Sequence, residues 1–247
     1  MQLTEQQLRF MDTFGFLHFP GLLADRIDGI VDAFEEVWER HGGGHEGKPH
    51  DGTARSCIVP FAGQSAELSS LLDDARIDGI LSSLLGDDYV YLGSDGNYYV
   101  GDTGWHSDGG WPRPIVYYKI GFYLDELTRD TGAIRVIPGS HRYGEGYAEA
   151  LQAGVREPEG TWGVGGDRRR MFTLNCTRRH TDEELPIMRQ EVANFARFQT
   201  DSVYGDAMVD TATPVRMWHL EQPLANQDHL AALSEKARQE RGEPSRG

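Results

Sequence analysis

The chain has 247 residues, 38% of them hydrophobic, enough to bury a sizeable core in one large domain. Its formal net charge of −15 argues against wrapping nucleic acid or binding an anionic membrane surface, although a small basic pocket for a small molecule stays compatible with it. Two cysteines, Cys57 and Cys176, do not make a disulfide scaffold in a chain of this length.

The opening residues, Met1-Gln2-Leu3-Thr4-Glu5, carry neither a basic region nor an apolar signal core. No apolar run approaches the roughly 18 residues needed to span a bilayer. The expectation is a cytoplasmic protein with no membrane and no nucleic-acid partner. Thr4-Glu5-Gln6-Gln7 reads as a capping box, followed by Leu8, Met11 and Phe14 at helical spacing, with Gly15 as the stop. Phe16-Leu17-His18-Phe19-Pro20 reads as a short strand. Asp25 is the expected cap of a second helix with Ile27, Ile30, Phe34 and Val37 on one face. The Gly- and His-rich stretch 41–52 reads as a solvated loop. Its His41, His45 and His50 are too loosely spaced to favour a metal site. Residues 67–85 predict another helix, broken near Asp78-Gly79.

From Tyr89 the pattern changes. Tyr89-Val90-Tyr91-Leu92, Asn97-Tyr98-Tyr99-Val100, residues 115–124, Ala133-Ile134-Arg135-Val136-Ile137 and Met171-Phe172-Thr173-Leu174-Asn175-Cys176 are rich in β-branched and aromatic residues and are separated by Gly, Asp and Pro. After Arg179 the chain turns helical again, with a second capping box at Thr181-Asp182-Glu183-Glu184. The tail from Ala225 is charged and predicted to fray. Helices followed by closely spaced strands point to an antiparallel sandwich or barrel with helices outside.

The chemistry centres on Trp105-His106-Ser107-Asp108-Gly109. Side chains at i and i+2 of an extended segment point the same way, so His106 and Asp108 present an imidazole and a carboxylate together. That is two thirds of the two-histidine, one-carboxylate site that holds Fe(II) and leaves positions open. Lys119, in the strand that follows, is placed to face the pocket and meet an anionic group, and snorkelling at a barrel rim explains it equally well. Tyr98, Tyr99 and Trp111 line the cavity or pack.

The chain resembles the phytanoyl-CoA dioxygenase family of Fe(II)- and 2-oxoglutarate-dependent oxygenases, in a bacterial branch of unassigned substrate. Four stretches carry the resemblance: 3–23 with Phe14-Gly15-Phe16; Gly104-Trp105-His106-Ser107-Asp108; Asp130-Thr131-Gly132 through Pro138-Gly139-Ser140-His141-Arg142; and Arg168-Arg169-Arg170-Met171-Phe172-Thr173. It implies a mainly β double-stranded β-helix, a jelly-roll barrel with flanking helices. The whole chain, 1–247, is then one domain: a helix and strand cover over 1–88, a barrel core over 89–179 and C-terminal helices over 180–247. It implies His106 and Asp108 as iron ligands. It also implies an Arg that binds the distal carboxylate of 2-oxoglutarate: Arg169, with Arg168 and Arg170 as neighbours, since a planar guanidinium matches a carboxylate bidentately.

One departure stands out. Relatives carry a second ligand His on a strand just before that Arg, whereas this chain has no His between His141 and His180. Set against the family, this implies that a strand pair is absent between Trp162 and Arg168: either a segment is omitted there or the protein has lost the third ligand. His219, in Arg216-Met217-Trp218-His219-Leu220, is the leading substitute for the third ligand, ahead of His141 and His180. The resulting expectation is a dioxygenase that uses Fe(II), 2-oxoglutarate and O2 to hydroxylate an aliphatic C–H of a small metabolite. The retained Asp108 favours hydroxylation over halogenation. A jelly-roll binding module with an incomplete iron site is the alternative, and a cupin-like metal enzyme without 2-oxoglutarate is a third. The substrate and the oligomeric state are left open.

Overall fold

A computed structural model describes residues 1–101, 105–108, 114–128, 131–154 and 169–245. Helix α1 (Glu5–Phe14) starts where the capping box places it. Gln7 N donates to the Thr4 hydroxyl at 3.2 Å, and Thr4 N donates to the Gln7 side chain at 2.9 Å. It stops at Gly15, whose φ of 81° is left-handed backbone that suits a residue without Cβ. Residues 16–20 do not form the expected strand; among the described residues they have no ladder partner, without which extended backbone is not a strand. Helix α2 (Ile27–Arg40) opens at Arg26 rather than Asp25, because the Asp25 carboxylate is turned to Arg76. Ile30, Phe34 and Val37 are buried, as their spacing predicts.

The stretch 41–52 is less solvated than its composition suggests. His45 is only 3% exposed, its ring nitrogens each 3.1 Å from the carbonyl oxygens of Cys57 and Pro244. His50 bonds Ser56 Oγ at 2.9 Å and stacks on Tyr98, while His41 pairs with Gln64. The helix expected over 67–85 is two helices, α3 (Ala66–Ser69) and α4 (Ala75–Leu85). The break falls at Asp74, whose carboxylate caps Arg76 N at 2.9 Å, and not at Asp78-Gly79. Gly79 lies within α4, and the Met1 backbone packs so closely on it that a Cβ there would lie 2.5 Å from Met1 N.

The sheet has five strands: β1 (Ser56–Ile58), β2 (Val90–Gly93), β3 (Gly96–Tyr99), β4 (Tyr117–Tyr123) and β5 (Arg169–Thr177). β5 is the hub. β4 runs antiparallel along one of its edges, while β3 and β2 share the other. Alternation along β5 sends Arg170, Phe172, Leu174 and Cys176 to one face, where Phe122 stacks on Phe172 at 4.5 Å within the core. The opposite face carries Arg169, Met171 and Thr173, with Lys119, Gly121 and Tyr123 of β4 in register as Lys119↔Asn175, Gly121↔Thr173 and Tyr123↔Met171. This second face holds the candidate site.

Residues 133–137 are not a strand, although their burial alternates as an extended segment's does. They lead through the Pro138-Gly139 turn to α5 (Gly144–Gly154). After β5 come α6 (Leu185–Ala193), behind the Thr181 capping box, then α7 (Asp206–Asp210), α8 (Pro214–Ala225) and α9 (Leu230–Arg241). The charged tail does not fray: Leu230, Ser234 and Ala237 give α9 a buried stripe. About 48% of the described residues are helical. The expectation of a mainly β protein is therefore corrected to a curled antiparallel half-barrel in a helical setting. The gap expected between Trp162 and Arg168 lies outside the described residues, as do Trp111 and Arg168.

Candidate metal centre

His106 and Asp108 stand on one wall of a cleft of about 770 Å³ that Lys119, Trp105, Arg135 and His141 also line. His106 Nε2 is 3.6 Å from Asp108 Oδ1, and Lys119 Nζ is 3.2 Å from the same oxygen. Both ligand-type side chains are about half exposed, so an ion can reach them from solvent. Burial opposes ionisation of Asp108. Hydrogen bonds and charge from His106 and Lys119 outweigh it and hold the carboxyl well below the usual carboxylate range. Asp108 is thus an anion at neutral pH, the form in which a carboxylate ligates a metal. The pair fits a divalent cation: an anionic oxygen and an imidazole nitrogen a short distance apart, with a neighbouring ammonium that offsets the carboxylate charge.

The two arginines singled out by sequence part ways, because consecutive residues of a strand face opposite sides. Arg170 turns to the core face and makes ion pairs with Asp125 at 2.6 Å and Glu35 of α2 at 2.8 Å. Tyr98 donates to the same Glu35 at 2.6 Å. The expectation that Arg170 helps hold 2-oxoglutarate is corrected: its guanidinium already ties α2 to the sheet. Arg169 turns to the site face. It is 8% exposed and donates to the carbonyl oxygens of Gly132, at 3.2 Å, and Gly101, and its Nε has no hydrogen-bond partner. Among the described residues Arg169 makes no ion pair. A buried guanidinium served by carbonyls at both terminal nitrogens, with its Nε–H unpartnered, suits an incoming carboxylate. Tyr123, in register with Met171 on the same face, has its hydroxyl pushed up chiefly by burial, with smaller influences from the charges of Asp108 and Arg169. Tyr99 is pushed up to about 12, chiefly by burial.

The third ligand does not come from His219. That ring is buried on α8, bonded to the Tyr89 carbonyl at 2.7 Å and stacked on the Tyr89 ring at 3.7 Å, and it does not line the cleft. α8 carries His219 to the packing between helix and β2. His180 is likewise buried, 3.6 Å from Glu191, and outside the cleft. His141 does line it, but its Nε2 is 3.1 Å from the Asp12 carbonyl, and a Cβ on Gly15 would lie 2.3 Å from its Nδ1. The Pro-Gly-Ser-His turn thus locks onto the end of α1, reinforced by Gly139 N donating to Phe14 O at 2.9 Å. Among the described residues no three His, Cys, Asp or Glu side chains gather as a metal site.

Sequence reasoning missed Arg135. Its guanidinium carbon lies 5.0 Å from the centre of the Trp105 ring, next to His106. The signal was available, since an arginine inside the apolar run Ala133-Ile134-Arg135-Val136-Ile137 calls for a reason.

Among the described residues no helix is long and apolar enough to cross a membrane. No protein of curated function matches the chain in sequence. Among solved structures it is similar to EctD from S. alaskensis with bound Fe, at 22% identity and a TM-score of 0.55, over 71% of this chain and 77% of that one. It is also similar to HygX from Streptomyces hygroscopicus with nickel and 2-oxoglutarate bound, at 20% identity and a TM-score of 0.48, over 72% and 82%. A family model described as phytanoyl-CoA dioxygenase matches residues 11–162, more than half of the chain and a span that includes His106, Asp108 and the Pro-Gly-Ser-His turn. The chain belongs to the phytanoyl-CoA dioxygenase family, whose members use Fe(II), 2-oxoglutarate and O2.

Proposed function

We propose that this protein hydroxylates an aliphatic C–H bond of a small molecule, with His106 and Asp108 as iron ligands. The observation that carries the reading is the shared approach of His106 Nε2 and Lys119 Nζ to Asp108 Oδ1 at the wall of an open cleft. When bound, the iron supplies the oxidation, driven by decarboxylation of 2-oxoglutarate. The chain's own side chains do the rest. Asp108 and His106 seat the ion. Lys119 keeps Asp108 ionised before the ion arrives and then faces the anionic co-substrate. Arg169 meets the distal carboxylate through its spare N–H, in a site dry enough to strengthen that contact. The neighbouring apolar residues Ile115 and Ile137 help keep water from the reacting carbon. Residues 1–88, 89–179 and 180–247 act as cover, core and support within one domain.

The test is succinate formation from 2-oxoglutarate in air by iron-loaded protein. Loss of that turnover in H106A, with folding unchanged, supports the assignment; equal turnover in H106A contradicts it.

A second reading is favoured by a specific observation, the lack of a three-residue ligand set among the described residues. In it the half-barrel is a binding module that does not retain iron. Metal analysis of protein purified without chelators separates the two. Near-stoichiometric iron supports the enzyme, and metal-free protein of normal thermal stability supports the module.

A further inference from the structure

We infer that a second cavity, adjoining the cleft around the edge of β4, holds an uncharged hydrocarbon body of the substrate. The inference rests on the oxygenase reading for the word substrate, but its structural basis is separate. The cavity measures about 410 Å³. Its walls are α2 through Ile27 and Ile30, α4 through Ile80 and Leu81, and β4 through Ile120 and Phe122. Lys119 is the only charged side chain among its lining residues.

The position of β4 explains why the two cavities meet. Among the described residues β4 pairs with β5 alone, so its other edge has no strand partner. Ladders on both edges of a strand seal one face of a sheet from the other, and an edge strand leaves a way round. Met11, Leu17, Leu84, Tyr118 and Lys119 accordingly line both the cleft and the cavity. Lys119 holds its Nζ 3.2 Å from Asp108 Oδ1, so the cavity begins one lysine side chain away from the proposed iron ligands. The register supplies an independent sign. Ile120 and Phe122 stand opposite Leu174 and Phe172 on the core face. The two β5 residues are fully buried, whereas Ile120 and Phe122 are only half-buried, because the cavity lies over them. Packed interiors leave few voids larger than a water, and an apolar void offers water no partners. At a liquid share of about 30 Å³ per water-sized group, this space takes roughly a dozen heavy atoms. Such walls favour each methylene brought in from water and penalise a polar group that finds no partner there.

The experiment titrates the full chain, without added iron, with 1-butanol, 1-hexanol, 1-octanol and octane-1,8-diol by calorimetry. Affinity for the wild type is expected to rise about fourfold per methylene along the alcohols. The diol, which must take a hydroxyl into the cavity from either end, should bind at least about fivefold more weakly than 1-octanol. Ile27 lines the cavity and not the cleft, so I27W, folded by its circular dichroism, should lose the gain from 1-butanol to 1-octanol. Affinity independent of chain length, undetectable binding of 1-octanol, or a diol bound as tightly as 1-octanol overturns the inference and needs no variant to fold. So does an undiminished gain in folded I27W. Succinate assays are scored apart. Chain-length selection without succinate formation counts against the oxygenase reading alone, and succinate formation without chain-length selection counts against the hydrocarbon site alone.

Discussion

Lys119 Nζ and His106 Nε2 approach one and the same atom, Asp108 Oδ1, at 3.2 and 3.6 Å. Lys119 is there because β4 pairs with β5 in a register that puts it on the face of Arg169, opposite Phe122 and the core. A methionine at position 119 keeps the apolar stem and removes the ammonium. K119M is expected to leave the Tm within about 2 °C, because the group is near the surface and its ion pair is weak in stability terms. It should weaken 2-oxoglutarate binding measurably in calorimetry. Unchanged 2-oxoglutarate affinity would place Lys119 outside the co-substrate's reach.

The two neighbouring arginines make a sharper contrast. R169Q is expected to weaken 2-oxoglutarate binding by about 10- to 100-fold, the cost of removing a charged hydrogen-bonding group from a buried site. R170Q should instead lower the urea midpoint, since it strands Asp125 and Glu35 and unties α2, with little direct effect on the co-substrate. Equilibrium unfolding and calorimetry on both variants check the assignment. The opposite pattern would show that the strand faces have been exchanged.

Gly15 ends α1 at a φ of 81° and lies against the His141 ring. G15A is expected to cost about 1–2 kcal/mol for left-handed backbone alone, with a further loss as the ring is displaced. Pairing it with H141A should recover the second part only. A double-mutant cycle in urea reads the coupling, and strict additivity would mean that the ring and the helix end do not touch.

His180 and His219 are held neutral: burial is the main cause, and each imidazole titrates below its ordinary value. The unfolded chain therefore binds more protons than the folded one once pH drops below about 6.5. The stability tied to these rings is full above that pH and is lost as acidity rises through the lowered folded values. The urea midpoint should fall between about pH 7.5 and about pH 5, and H219N should flatten that fall. A midpoint independent of pH across this window would contradict the burial of both rings.

Cys57 and Cys176 are free and buried, and burial pushes the Cys57 thiol up to about 12 and Cys176 higher still. Neither should react with a thiol reagent such as Ellman's reagent in the native state, and both should react in guanidinium. Prompt reaction of either native thiol would show that the sheet around β1 or β5 opens readily.

Where local physics decides the structure, the sequence was readable. The Thr4 and Thr181 capping boxes, the stop at Gly15, the stripe of α2 and the strands around Tyr91, Asn97, Ile120 and Leu174 follow from hydrogen bonds and side-chain periods within a few residues. What was not readable depends on distant partners. Asp25 did not cap α2 because Arg76 competes for it, and residues 133–137 did not become a strand although their composition is β-like. At the site, the closeness of His106 and Asp108 that the sequence suggests is present at 3.6 Å, although residues 105–108 form no strand and Asp108 sits in a turn; their service as iron ligands belongs to the proposal. His219 was misjudged because its direction is set by α8 packing on β2, which no local spacing encodes. The split between Arg169 and Arg170 follows from strand alternation, but which face was which required the register with β4.

The most direct measurement is an anaerobic titration of the full chain with Fe(II) and 2-oxoglutarate, watched for the weak visible absorption that arises when both occupy one centre. That band is expected to saturate near one equivalent of each, and to be missing in H106A and D108N folded to the wild-type Tm. Absence of the band in the wild type, or its persistence in both variants, would contradict an iron site built on His106 and Asp108.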